Sequence, residues 1–185
     1  MTRPEWVACE DGAFMLQTLG KVSGPPGSDG RRRLVLAACA CARRVLQYVP
    51  MHEDRPRLAI EAAERWAKES GSTLDQVRRA AKDAESFADN LPRLHADTAV
   101  PGAGIPGAMT AVHGAVASAA ASAAYTATEI FPDLNAKAAA TESALAAASY
   151  AAVTVRDAAC AAELRHCADI VRHYFPEPPA AEVKP

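Results

Sequence analysis

The stretch RRRLVLAACACARRVLQYV, residues 31–49, decides the fold of this chain. Residues 34–42 include no polar side chain, whereas arginines occupy both ends of the stretch. A helix formed here is apolar all the way round, which is typical of a helix enclosed by other helices. We therefore predict an all-α, single-domain bundle of about six or seven helices, with residues 31–49 as its central helix.

The rest of the chain has the composition of helices that pack closely around such a centre. Hydrophobic residues make up 50% of the 185 residues but aromatic residues only 5%, so alanine supplies much of the apolar surface. Alanine combines the highest helix propensity with a small side chain, which favours short distances between helices. A chain of this length buries a sizeable core without disulfides or metal ions.

Polar residues ahead of the apolar segments predict where several helices begin. Side chains of this kind accept hydrogen bonds from free backbone N–H groups in the first turn of a helix. The predicted N-terminal caps are Thr2, Asp11, Ser28 or Asp29, Thr73 in a capping box with Gln76, and Asp133. In the helix that begins near Arg55, the periodicity places Leu58, Ile60 and Trp66 on the buried face.

Proline and glycine residues predict the interruptions of the bundle, which spans residues 1–175. Glycine and proline favour an exposed, mobile loop at residues 20–30 and a long loop at residues 92–107. The proline-rich residues 176–185 are predicted to form a disordered tail.

A single helix over residues 134–175 would be about 60 Å long, which exceeds the size of a compact domain of this length. We therefore expect a break in this segment near Thr141 or Thr154.

Arginines at both ends of the central helix are candidate contacts for an anion or a partner. Arg31, Arg32 and Arg33 fall in its first turn, where the helix dipole disfavours cations. Either acidic side chains of this chain or a bound anion must compensate for them. Arg43 and Arg44 form the second cluster. Glu61, Glu64 and Arg65 are expected to form ion pairs, which include pairs with the arginines of the central helix.

The cysteines suggest a second hypothesis, a metal-binding or redox-sensing bundle that holds zinc or iron. Cys39 and Cys41 lie about 200° apart around a helix, so they cannot bind one ion together. Cys160, Glu163 and Cys167 share one helix face at the spacing i, i+3 and i+7, and His166 is adjacent to them. The candidate ligands are Cys9, Cys41, Cys160, Glu163, His166 and Cys167. Buried, inert thiols are the simpler interpretation of the same residues.

No catalytic set is recognised in the sequence. The Glu-x-x-His element of carboxylate di-iron bundles occurs once, at residues 163–166, whereas a complete site requires it twice. Motifs for phosphate-binding loops, serine nucleophiles and H-E-x-x-H zinc sites do not occur. We predict no catalytic residues and no resident cofactor, and the leading hypothesis is a non-enzymatic protein–protein interaction module.

Charge indicates which partners to expect. The net charge is −2 and the isoelectric point is about 6.2, which argues against a global attraction to nucleic acid or membrane. The first 20 residues carry Glu5, Glu10 and Asp11, unlike a secretory signal. We therefore expect a cytoplasmic protein whose partner is another protein or a second copy of this chain, and we expect neither nucleic-acid nor membrane binding.

Several motifs resemble an uncharacterised paralogous family of bacterial proteins that is common in planctomycetes. The motif W-x-x-C-x-D-x-x-x-M-L begins at Trp6, and A-C-A-C-x-R-R begins at Ala38. Residues 60–67 and 167–176 are similar to the same family. The chain departs from it at Ala42, where the family often has a third cysteine. The resemblance implies a shared helical fold and supplies no mechanism.

Overall fold

The fold is all-α, as predicted. The computed structural model describes residues 1–69, 71–97, 106–128, 132–150 and 156–179, and these residues form eight α-helices, one short 3-10 helix and no strand. The helices are α1 (Arg3–Ala8), α2 (Gly12–Gly20), α3 (Asp29–Arg43), α4 (Arg55–Ala67), α5 (Leu74–Asp97), α6 (Pro106–Thr128), α7 (Pro132–Tyr150) and α8 (Arg156–Tyr174).

Helix α3 is the centre of the bundle, in agreement with the sequence prediction. It contacts α2, α4, α6, α7 and α8. The buried side chains of its apolar middle are Leu34, Val35, Ala37, Ala38, Cys39, Cys41 and Ala42. Removing this much apolar surface from water is the main favourable contribution to the stability of such a bundle.

The central helix is shorter than predicted, since it ends at Arg43 rather than at residue 49. The N–H groups of Arg44 and Val45 bond to carbonyls three residues back, at 3.2 and 3.3 Å, which winds the chain more tightly. A 3-10 helix, Leu46–Tyr48, follows. This turn buries Val45 against Val116 of α6.

Side-chain caps begin α1, α2, α3 and α5 as the sequence predicted. Thr2, Asp11 and Ser28 each accept a hydrogen bond from a backbone N–H in the first turn of the helix that follows. Thr73 and Gln76 exchange the two bonds of a capping box. Asp133 was a wrong prediction, because α7 begins one residue earlier, at a proline whose fixed φ suits a first helical turn.

Pro92 does not end its helix, contrary to the prediction. Helix α5 continues to Asp97 although an internal proline removes one backbone hydrogen bond. Phe87 and Leu91 are buried against Ala117 of α6 just before the proline, and this packing stabilises the helix there. Residues 92–97 and 106–107 of the predicted loop are therefore helical, and residues 98–105 lie outside the described residues.

The segment 134–175 is divided into two helices, as predicted, but the alternative break near Thr141 is wrong because Thr141 lies inside α7. Helix α7 ends at Tyr150 and α8 begins at Arg156, and the two pack against each other, which one straight helix cannot do. Thr154 itself lies outside the described residues.

The predicted loop and tail are both tied to the bundle. Ser23, in the connection between α2 and α3, is buried rather than exposed. The Trp6 indole N–H donates to the Phe175 carbonyl at 3.0 Å, and Arg3 pairs with Glu177 at 3.0 Å. Residues 176–179 therefore lie against the fold, contrary to the predicted disorder, and residues 180–185 lie outside the described residues.

Two glycines allow α2 to approach its neighbours closely. A Cβ atom on Gly12 would lie 2.5 Å from the backbone nitrogen of Ala168, and one on Gly20 would collide with the backbone of Asp133. Backbone atoms cannot turn aside as a flexible side chain can. Glycine at these positions therefore sets the distance from α2 to α8 and α7.

We predict that Gly12→Ala and Gly20→Ala each destabilise the protein by about 1–3 kcal/mol, because overpacking forces helices apart. Gly114→Ala is the matched control, since its nearest neighbour would be the Leu91 Cδ1 atom at 3.8 Å. That control should be neutral or stabilising by up to about 1 kcal/mol from helix propensity. Urea unfolding measures all three, and equal effects at Gly12 and Gly114 would contradict this packing.

Candidate functional site

Arg31 is buried, and its guanidinium forms hydrogen bonds inside the bundle. Its side chain is 4% exposed, and its guanidinium donates to the Ser23 hydroxyl at 3.3 Å and to the carbonyls of Thr126 at 3.2 Å and Gly24 at 2.9 Å. Thr126 lies in the last turn of α6, where carbonyl groups carry partial negative charge. These contacts are structural, and burial lowers the pKa of the guanidinium.

Arg32 and Arg33 differ in how far they are neutralised. Arg32 forms an ion pair with Glu69 at 3.0 Å and lies over the Trp66 ring at 5.5 Å. The guanidinium of Arg33 lies 5.3 Å from the centre of the Phe175 ring. Within the described part of the chain, the guanidinium of Arg33 forms no hydrogen bond or ion pair.

The second arginine cluster is closed by ion pairs within the chain, as one of the two interpretations predicted. Arg43 binds both oxygens of Glu64, at 2.7 and 2.9 Å, and Arg44 binds both oxygens of Glu163, at 2.6 and 3.3 Å. These carboxylates raise the pKa of both guanidinium groups. The pairs join α3 to α4 and to α8.

The candidate metal ligands are only partly brought together. Cys41 and Cys167 are buried and interact with each other and with Glu163. The contact with Cys167 and burial raise the pKa of the Cys41 thiol well above its ordinary value. Both oxygens of Glu163 accept hydrogen bonds from Arg44. The Cys41 thiol, which its raised pKa keeps protonated, therefore lies beside a carboxylate that is already paired.

The other three candidates lie in different surroundings. The Cys9 Sγ donates to the carbonyl of Asp11 at 3.6 Å, Cys160 is half-buried, and His166 is exposed. Over the described ranges of the chain, no group of three or more His, Cys, Asp or Glu side chains is arranged to hold a metal ion.

A groove between α4 and α5 is the feature that sequence reasoning missed. Two adjoining cavities, of about 460 and 240 Å³, share three lining residues, Leu58, Gln76 and Ala80. The side chain of Leu58 is 44% exposed, although the periodicity placed it on the buried face. Ile60 and Trp66 are buried as predicted, and Ala59 is buried with them, so the apolar face of α4 is rotated away from Leu58.

Both helices present one regular face to this surface, which we name the α4–α5 groove. Its lining residues are Arg55, Leu58, Ala62, Arg65, Gly71, Ser72, Gln76, Arg79, Ala80 and Asp83. The lining residues are spaced i, i+3, i+7 and i+10 on α4 and i, i+3, i+4 and i+7 on α5, and each set forms one face of an α-helix. Arg55 lies over the Phe87 ring at 4.8 Å, and Arg65 donates to the Ser72 hydroxyl at 3.4 Å, so the helices run antiparallel.

The rim of the α4–α5 groove carries more arginines than acids, although Glu53 and Glu61 pair with two of its three arginines. Three arginines and one aspartate line it, whereas the chain carries a net charge of −2. Arg55 is held by both oxygens of Glu53, at 2.7 and 2.6 Å. The guanidinium of Arg79 forms no hydrogen bond or ion pair with any described residue.

A scan against models of protein families, a search of curated proteins and a search of solved structures each found no match to this chain. Among the described helices, none is both long enough and apolar enough to cross a membrane.

The Glu53–Arg55 pair at the end of the groove gives the stability of the protein a pH dependence. The hydrogen bonds from Arg55 hold the pKa of the Glu53 carboxyl below its ordinary value. A carboxyl with a lowered pKa in the folded state contributes stability above its unfolded pKa, of about 4.3, and loses it as the pH falls through the folded pKa.

We therefore predict that Glu53→Gln destabilises the protein at pH 7 and that this deficit shrinks toward zero at the acid end of the profile. Urea unfolding of the wild type and variant from pH 7 downward measures it. Asp75→Asn, in an exposed pair with Arg78, is the control and should change stability little. A deficit for Glu53→Gln that grew on acidification would refute the assignment.

Proposed function

We propose that this protein is a non-enzymatic protein–protein interaction module that binds an acidic segment of a partner protein in the α4–α5 groove. The observation that carries the proposal is a half-exposed leucine, Leu58, which lines two adjoining cavities and is bordered by arginines. The apolar surface of the groove and the arginines at its edge each indicate one feature of the segment that binds there.

The apolar surface at the bottom of the groove favours a partner segment that presents a hydrophobic side chain. Leu58 is exposed while Ala62 and Ala80 beside it are small, which leaves concave space on both sides of its side chain. Covering an exposed leucine contributes about 25 cal/mol for each Å² of apolar surface removed from water. A leucine or phenylalanine side chain of the partner fits this space.

The arginines at the edge of the groove favour acidic residues on either side of that hydrophobic side chain. Among the three arginines of the groove, Arg79 is the one whose guanidinium has no ion-pair partner among the described residues, so a carboxylate there gains a hydrogen-bonded ion pair without breaking an existing one. Arginine presents a planar fork that matches both oxygens of a carboxylate.

Three further properties belong to the same proposal. A cytoplasmic location is supported by five cysteines that are all free thiols. The resemblance to the planctomycete-type family remains a proposal that rests on the motifs alone. Zinc or iron at the cysteines remains an expectation with no support from the groove.

A display selection of random peptides of about 15 residues, with the purified protein as bait, tests the proposal. The wild type should enrich peptides that combine Leu or Phe with Asp or Glu. Leu58→Asn and Arg79→Glu should each weaken the strongest peptide at least about tenfold, which corresponds to 1.4 kcal/mol. Leu58→Asn should destabilise the protein by only about 1 kcal/mol, and Leu145→Asn by a similar amount, because each side chain is about half exposed and asparagine has a lower helix propensity than leucine.

Matched control variants lie on α7. Leu145 is 46% exposed and Lys137 is exposed, so Leu145→Asn and Lys137→Glu make the same chemical changes away from the groove. Both should leave peptide affinity unchanged. Failure to enrich such peptides, or equal affinity for Leu58→Asn, would overturn the proposal. Dimerisation of the wild type that Leu58→Asn abolishes would show that a second copy fills the groove, and would equally overturn an acidic partner.

A further inference from the structure

A third cavity, of about 490 Å³, lies on a different part of the bundle from the α4–α5 groove. Its walls come from the end of α2, the start of α3 and the segment that follows α8. The side chains that matter for its chemistry are Leu19, Val22, Arg33, Phe175 and Glu177. Pro178 and Pro179 complete an apolar wall, so one open cavity combines aliphatic, aromatic and cationic groups.

Arg33 is the polar group that gives this cavity its specificity. Its guanidinium lies over the face of the Phe175 ring, which holds the group at the cavity wall through a cation–π contact. None of the described residues gives it a hydrogen bond or an ion pair, so its donors remain available to a ligand. The side chain is exposed, and a ligand therefore reaches it without rearrangement of the fold.

We infer that this cavity binds a small monocarboxylate with an apolar body. The carboxylate accepts two hydrogen bonds from the Arg33 fork, and the apolar body lies against Leu19, Val22 and the proline wall. Apolar cavities of a few hundred Å³ with one or two converging polar groups are the usual form of small-molecule sites.

The cavity also explains why a single negative charge suits it better than two. Glu177 is part of the lining, and its carboxylate is already paired with Arg3 at 3.0 Å. The lining therefore carries one free cation and one neutralised carboxylate. A monocarboxylate balances Arg33, whereas a phosphate dianion leaves excess negative charge beside Glu177.

The inference is independent of the α4–α5 groove, since the two surfaces share no lining residue. Variants of one surface therefore serve as controls for the other. Failure of peptide binding at the groove leaves carboxylate binding at Arg33 unaffected, and the reverse also holds.

Titration of the full chain with 2-naphthoate, followed by calorimetry and by amide chemical shifts, tests the inference. We expect one saturable site, with shifts centred on Leu19, Gly30 and Phe175. Arg33→Gln should weaken binding about tenfold, the effect of losing a hydrogen-bonded charge. The uncharged analogue 2-naphthylmethanol should bind the wild type about tenfold more weakly and should be insensitive to Arg33→Gln.

Arg79→Gln, in the groove, is the matched control and should keep the affinity of the wild type for 2-naphthoate. Equal affinity of Arg33→Gln and wild type, shifts centred elsewhere, or absence of saturable binding would each overturn the inference. Binding that is seen only in a chain shortened to end at Pro179 would show that the chain's own last residues fill the cavity, and would also overturn it.

Discussion

The buried guanidinium of Arg31 is the interaction on which the arrangement of this bundle depends. An apolar helix can enter the core only if its charged first turn finds partners there, because an unpaired buried charge costs several kcal/mol. Arg31 finds them in the connection that precedes α3 and in the last turn of α6. One side chain thereby ties the start of the central helix to a helix 95 residues further along the chain.

Much of this fold follows from local sequence, and the differences have identifiable physical causes. The apolar middle of α3 and the caps at Thr2, Asp11 and Ser28 are decided by neighbouring residues, and the sequence predicted them. The acceptors of Arg31 depend on distant residues, which spacing cannot reveal. Pro92 was misinterpreted for the same reason, since packing of α5 on α6 offsets the cost of a proline.

The same reasoning explains why the candidate sites were only partly predictable. The sequence singled out both arginine clusters, but it could not separate Arg43 and Arg44, closed by carboxylates, from Arg33, which has no such partner among the described residues. Leu58 was assigned to the core because its spacing matches the buried face of α4. A leucine between arginines was the available signal, and only the rotation of the helix shows that it is exposed.

The most direct test of this account is the free energy of unfolding of Arg31→Met, measured in urea beside Arg33→Met. Methionine keeps most of the volume of arginine and removes its donors, leaving buried acceptors unpaired at about 1–3 kcal/mol each. We expect Arg31→Met to lower the free energy of unfolding by at least about 3 kcal/mol and Arg33→Met to change it by less than about 0.5 kcal/mol. Equal stability of Arg31→Met and the wild type would contradict the central role of this guanidinium.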